Sequence, residues 1–174
     1  MDATQLRALQ APLKQKYRDD PPTAVTPIRA SGDFRDEGIT ATVDGWAGPV
    51  RAGLHPATGG DGSDACSGDM LLQALLACAG VTLRSVATAM GVEIRSALLG
   101  AEARFDARGT LGLDRTVPVG ITDIVVTAVV DTDAGEQELA RLATSVERYC
   151  VVGQSLQQQP RFVVRPSSAP DSSR

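Results

Sequence analysis

The chain has 174 residues, 43% hydrophobic and 22% charged, with a formal net charge of −4 at pH 7. Its mass of 18.1 kDa fits one domain of ordinary size with short arms, and that apolar content excludes wholesale disorder. A pI near 5.0 leaves no electrostatic footprint for a phosphate backbone, and 3% aromatics leave few rings for stacking unpaired bases, so nucleic acid is not an expected partner.

Residues 2–18 are predicted to form a helix, with Leu6, Leu9 and Leu13 at roughly helical spacing and Pro12 kinking or shortening it. The segment is charged and lacks a continuous apolar run, so it is not read as a signal peptide. Pro21-Pro22 closes this arm, assigned to residues 1–21. From Thr23 to Leu54, apolar residues are punctuated by Gly32, Gly38, Gly45, Gly48 and Pro49, which predicts two or three short antiparallel strands. Residues 55–66, HPATGGDGSDAC, read as a loop. Ser67 is the expected N-cap of the next helix, and Asp69 suits its first turn.

Met70 to Met90 is apolar on nearly every face, the pattern of a buried helix, and Gly91 ends it. Its longest uncharged stretch, Met70 to Leu83, is too short to span a bilayer, so no membrane association is expected. Glu93 to Asp106 alternates: Ala101, Ala103 and Phe105 on one side, Glu102, Arg104 and Asp106 on the other. A turn around Arg108-Gly109 and Gly112 precedes a second, β-branched strand, Gly120 to Asp131. Asp133 and Glu136 have capping-box spacing ahead of a helix that carries Leu139, Leu142, Val146 and Cys150 as one stripe. Pro160 is expected to end that helix, Arg161 to Arg165 to form a last strand, and 167–174 to be a disordered tail. The main domain is thus 22–166, of α+β class with largely antiparallel sheets. A helix apolar all round needs cover all round, which a second subunit would supply.

Three cysteines, Cys66, Cys78 and Cys150, form an odd set without tight spacing, so reduced thiols and a cytoplasmic setting are expected rather than a secreted disulfide framework. With the single histidine, His55, they make four conceivable zinc ligands. None is paired at the short spacing of structural sites, so no metal is expected. Asp61, Asp64 and Asp69 lack the full calcium-loop pattern and read as a solvated loop. Cys78 lies mid-helix, with Leu71 and Leu75 before it and Thr82 and Ser85 after it on the same face. Cys150 lies on the inward stripe of the later helix. Each alone reads as a small hydrophobe. A reactive thiol needs a thiolate, hence a nearby cation or helix N-terminus. Cys78 is mid-helix, so an arginine from elsewhere is required.

The segment SGDMLLQALLACAGVTLRSVATAMGVEI resembles the central-helix signature of the osmotically inducible protein C and organic hydroperoxide resistance (OsmC/Ohr) family, and VERYCVVGQSL resembles its second cysteine signature. The resemblance runs from about residue 23 to 165. It implies an intertwined homodimer, with long central helices inside, sheets outside and active sites at the subunit interface. It also implies thiol peroxidase chemistry in oxidative stress defence. Cys78 would be the peroxidatic residue and Cys150 the resolving one. The substrate would be an organic hydroperoxide lined by Leu71, Leu75 and Val81, the reductant a small dithiol or lipoyl-type molecule, and no cofactor would be needed. The activating arginine would come from Arg29, Arg35 or Arg51, with Arg51 in GPVRAGLHP preferred. The family's glutamate, ten residues before the first cysteine, is replaced here by Gly68 beside Asp69. Glu147 and Arg148 read as a solvated helix face, and Cys66 as a loop cysteine or alternative resolving thiol. The alternative function is a non-catalytic dimeric module binding an apolar small molecule between subunits.

Overall fold

Residues 1–167 are described by the computed structural model, and the predicted tail lies, beyond Ser167, outside them. The chain forms two compact units. One comprises Met1–Val25, Ala74–Ala103 and Asp123 onward; the other comprises Thr26–Gln73 and Arg104–Thr122.

The first unit opens with helix α1 (Ala3–Asp19). Asp2 accepts from the Thr4 and Gln5 backbone N–H groups while the Gln5 side chain accepts from the Asp2 N–H, a complete capping box. Pro12 was expected to kink or shorten this helix, yet it lies inside an uninterrupted run. Proline removes one backbone hydrogen bond, and the cap and the remaining turns carry the helix past it.

Helix α2 (Ser67–Met90) begins in the other unit and continues into this one. Ser67 is its first helical residue rather than its cap. At 24 residues, α2 is longer than the uncharged stretch inside it, and by length and composition alone it would reach across a membrane. Its burial, however, follows one stripe, Leu75, Ala79, Leu83 and Ala87, at i, i+4, i+8 and i+12. Gly91, at φ +74°, ends it in the left-handed region that glycine enters without a Cβ clash.

Strand β5 (Ser96–Arg104) follows, then β6 (Thr122–Asp131) and β7 (Arg161–Pro166), side by side in the order β5-β6-β7. The alternation read in the sequence holds over the end of β5, where Ala101 and Ala103 are half-buried and Glu102 and Arg104 exposed; on β6, Ile124, Val126, Ala128 and Val130 point inward. β6 and β7 are parallel, with Val126 opposite Phe162. Parallel neighbours need a crossover, and helix α4 (Glu136–Tyr149) is that crossover. The sheets are therefore mixed, not antiparallel throughout. Ala79 and Leu83 of α2 meet Leu99, Val126, Ala128, Val146 and Phe162 around a residual gap of about 10 Å³, at the lower limit for a single water.

The expected Asp133–Glu136 capping box is absent. Gly135 precedes α4, and its N–H is met by the Glu138 carboxylate at 3.3 Å. Asp133 is drawn away by Arg95, which bridges Asp133 (2.9 Å) and Asp131 (2.5 Å). Nor does α4 run to Pro160. It stops at Tyr149, and a short helix α5 (Val151–Gln154) follows.

The second unit holds a four-stranded sheet. β1 (Gly32–Asp33), β2 (Thr40–Gly45) and β3 (Gly48–Gly53) pair antiparallel, as predicted, and β4 (Ala65–Cys66) joins β3 in parallel. Gly45 pairs with Gly48 at the hairpin end, where φ of +129° at Gly48 requires glycine. Cys66 thus ends a strand rather than lying in a loop. The turn expected near Arg108 is one turn of helix, α3 (Ala107–Thr110), capped by Asp106, whose pKa is pulled down to about 2 by the Arg108 side chain.

Candidate active site

The site rests on two places where the backbone is made to serve a sulfur atom. The first is the end of α4. Cys150 still donates its N–H to the Val146 carbonyl at 2.9 Å, but its own backbone is extended, at φ −73° and ψ 102°. That break turns its thiol under the next segment, where the Gly153 N–H donates to Sγ at 3.4 Å. Cys150 is thereby the cap of α5, and it is wholly buried. Leu75 of α2 and the Cys150 sulfur stand on the same side of Gly153: a Cβ there would lie 3.6 Å from Leu75 Cδ1 and 3.4 Å from Sγ.

The second place is the middle of α2. Cys78 lies off the fully buried stripe and is half-buried, whereas Cys150 is fully buried. The two thiols, 72 positions apart in sequence, act on one another's acidity. Their environments push them apart chemically. For Cys78, burial opposes the charge. Hydrogen bonds from the Val152 N–H, the Cys150 thiol, the Val151 N–H and the Thr82 hydroxyl outweigh it, so its pKa falls below the ordinary thiol range. For Cys150, burial dominates, and the adjoining Cys78 sulfur adds to it, so its pKa rises despite the Gly153 N–H. Of the two, Cys78 is the more readily ionised thiol.

This answers part of the requirement set by the sequence. The N-terminus of α2 is indeed too far along the helix to help Cys78. The opening N–H groups of α5 do so instead. Val151 and Val152 were missed because backbone donors carry no residue signature. Thr82 had one, its i+4 spacing from Cys78.

The other predicted residues distribute as follows. Arg51, on β3, grips Asp64 with two prongs, Nε at 2.5 Å and Nη2 at 3.2 Å, as a carboxylate suits a planar guanidinium. Asp64, read as part of a solvated loop, is thus the carboxylate that orients this arginine, although the family's glutamate position is Gly68. Arg35 is engaged by Asp33. Glu147 is not a solvated face residue: its carboxylate accepts the Phe162 N–H at 3.0 Å and so ties α4 to the start of β7. Arg148 lies over the Tyr149 ring, 5.5 Å from its centroid. Val81 is 73% exposed and lines a cavity of about 630 Å³, with Gly80, Leu83, Ala87 and Leu99, that includes neither Cys78 nor Cys150. His55 accepts from the Ala57 N–H through Nδ1 and stands edge-on to Phe105. Among the described residues, no three His, Cys, Asp or Glu side chains converge as a metal site would require.

The comparisons with known proteins give the family and the fold. The family described as OsmC-like protein matches residues 60–165, a span that contains both Cys78 and Cys150. No curated protein matches the chain. Among solved structures, an OsmC-like protein from Mycoplasma pneumoniae superposes with a TM-score of 0.64 at 17% identity, over 82% of this chain and 96% of that one. An organic hydroperoxide resistance protein from Elizabethkingia anophelis, crystallised with thiocyanate bound, gives 0.64 at 12% identity over 83% and 98%. The organic hydroperoxide resistance protein OhrB of Bacillus subtilis gives 0.52 at 17% identity over 80% and 98%.

Proposed function

Since the chain belongs to the OsmC-like family, we propose that it is a thiol-dependent peroxidase acting on organic hydroperoxides. The observation that carries this reading is the Cys78–Cys150 pair, whose thiols act on one another: Cys78 is half-buried with its pKa lowered, and Cys150 is fully buried with its pKa raised. The Cys78 thiolate gives an electron pair to the distal peroxide oxygen. The O–O bond breaks, the alkoxide leaves and takes up a proton as the alcohol, and Cys78 is left as a sulfenic acid. The Cys150 sulfur then attacks the oxidised one; its proton leaves with the hydroxyl as water, and a disulfide forms. A small dithiol of lipoyl type reduces that disulfide by two exchanges and is itself oxidised to its cyclic disulfide. Thiol chemistry suffices for the cycle, without a metal or an organic cofactor.

The test is stoichiometric. One equivalent of an alkyl hydroperoxide added to reduced protein is expected to remove two thiols rapidly and to link the peptides carrying Cys78 and Cys150, leaving Cys66 free. Oxidation no faster than that of free cysteine overturns the reading. In that case the apolar cavity bounded by Leu83, Ala87 and Leu99 favours the second reading, a non-catalytic module for an apolar small molecule.

Arg51 is proposed as the cation that supports the thiolate, held in aim by Asp64. Arg51→Met is expected to lower kcat/KM for hydroperoxide by about 10²-fold, and Asp64→Asn by less, because the guanidinium remains and only its orientation loosens. A full rate in Arg51→Met moves the role to Arg29 or Arg35.

The working unit is proposed to be a cytoplasmic homodimer. Val81 and Leu98, 73% and 77% exposed, are apolar side chains that a second copy would cover. Sedimentation equilibrium should return twice the 18.1 kDa chain mass; the chain mass itself overturns this.

A further inference from the structure

Gly53 ends β3. In the parallel pairing with β4 it stands opposite Cys66, and Ala52 stands opposite Ala65, so Asp64 comes alongside Arg51 and Gly53 just before β4 begins. Glycine is a poor strand former, and within a strand it often marks the close approach of another chain segment. Backbone conformation does not ask for it here, because Gly53 is not among the glycines at positive φ. Space does. A Cβ on residue 53 would lie 2.7 Å from Asp64 Oδ2, 2.8 Å from Asp64 Cβ and 3.2 Å from Asp64 Cγ. Rotating the carboxylate would move its oxygens but not its Cβ, which the backbone fixes. The Asp64 side chain is 15% exposed, against 50% for Arg51, so the carboxylate lies over the bare strand rather than out in water. From there it holds the guanidinium at Nε (2.5 Å) and Nη2 (3.2 Å).

We infer that Gly53 is a positioning residue for Arg51: its missing side chain is the space through which Asp64 reaches and aims the guanidinium. The inference rests on the reading of Arg51 as the cation that supports the thiolate. A two-pronged carboxylate contact fixes the plane of a guanidinium. A methyl group on residue 53 displaces Asp64 from the strand, and Arg51 then keeps its charge but loses its aim. Misplacement of a catalytic group by a fraction of its reach is enough to slow a reaction.

The experiment follows hydrogen exchange at the Arg51 Nε–H by heteronuclear NMR in the full-length protein, beside kcat/KM for an alkyl hydroperoxide. Gly53→Ala is expected to speed that exchange about tenfold and to lower kcat/KM to the level of Asp64→Gly. Gly53→Ala/Asp64→Gly should be no slower than Asp64→Gly alone, because the acceptor is already gone and the methyl meets no side chain at residue 64. Losses that multiply in the double variant overturn the inference. So does unchanged exchange in Gly53→Ala, or a full rate in Gly53→Ala where Arg51→Met is slow. If Gly53→Ala does not fold, its combinations decide. Asp64→Gly removes the Cβ that the methyl meets and should restore folding, whereas Asp64→Ala keeps that Cβ and should not. Recovery in both, or in neither, overturns the inference. The same measurements separate the two readings. Unchanged exchange in Gly53→Ala, with Arg51→Met slow, rejects Gly53 and keeps Arg51. Faster exchange in Gly53→Ala, with Arg51→Met at full rate, rejects Arg51 as the supporting cation and keeps Gly53 as the residue that lets Asp64 hold it.

Discussion

Cys78→Ser is expected to lose hydroperoxide reduction by at least about 10³-fold. A serine hydroxyl in the same setting stays protonated near neutral pH, and the hydrogen bonds that acidify the thiol are far too few to ionise an alcohol. The companion change separates the two sulfurs. Cys150→Ser should complete one oxidation and stop with a sulfenic acid on Cys78, seen as a mass increase and trapped by a sulfenate-specific nucleophile. The asymmetry follows from burial. Cys150 is sealed and its thiol pushed up, so it does not substitute as the attacking group. Cys66→Ser should leave turnover unchanged. If Cys78→Ser and Cys150→Ser stall in the same way, the assignment of roles fails. If Cys66→Ser stalls instead, the resolving thiol has been misplaced.

Leu75→Ala is expected to destabilise the fold by about 2–5 kcal/mol, the usual range for truncating a buried leucine. Leu75 is 0% exposed and lies beside Gly153 near the Cys150 sulfur. The hole would open beneath the redox pair, so the loss of stability should be accompanied by slower disulfide formation. Leu142→Ala provides the contrast. It is also 0% exposed and costs a similar amount, but it lies two turns before Cys150 on α4, away from the break that positions the sulfur. Urea unfolding should show a lower midpoint with an unchanged slope in both variants, and only Leu75→Ala should also slow the thiol step. A loss under about 1 kcal/mol at Leu75 would contradict its role as a core residue.

Much of the fold was legible because periodicity reports burial. The period-two run at Ala101 and Ala103 is the half-buried side of the end of β5, and Leu139, Leu142, Val146 and Cys150 form the buried stripe that α4 carries to its end. Errors arose where one local signal met a competing one. Asp133 has the chemistry of a cap, but Arg95, 38 positions away, takes its carboxylate. Pro160 is a strong helix breaker, yet the helix had already yielded at Cys150, where an extended backbone exchanges one turn of helix for a capped thiol. Pro12 is an equally strong signal, yet α1 runs through it from Ala3 to Asp19.

The order of residues by itself determined the element types, the inward faces and the two cysteines worth watching, since these depend on side-chain pattern over a few neighbouring turns. Only tertiary structure decided that Cys78 and Cys150 act on one another's acidity, that the Gly153 amide caps the Cys150 sulfur, and that Asp64 is the carboxylate on Arg51. The physical reason is range. Helix and strand patterns repeat within a few residues, whereas a thiol's acidity is set by whichever donors and apolar walls the folded chain brings within a few ångströms, and no local pattern encodes those.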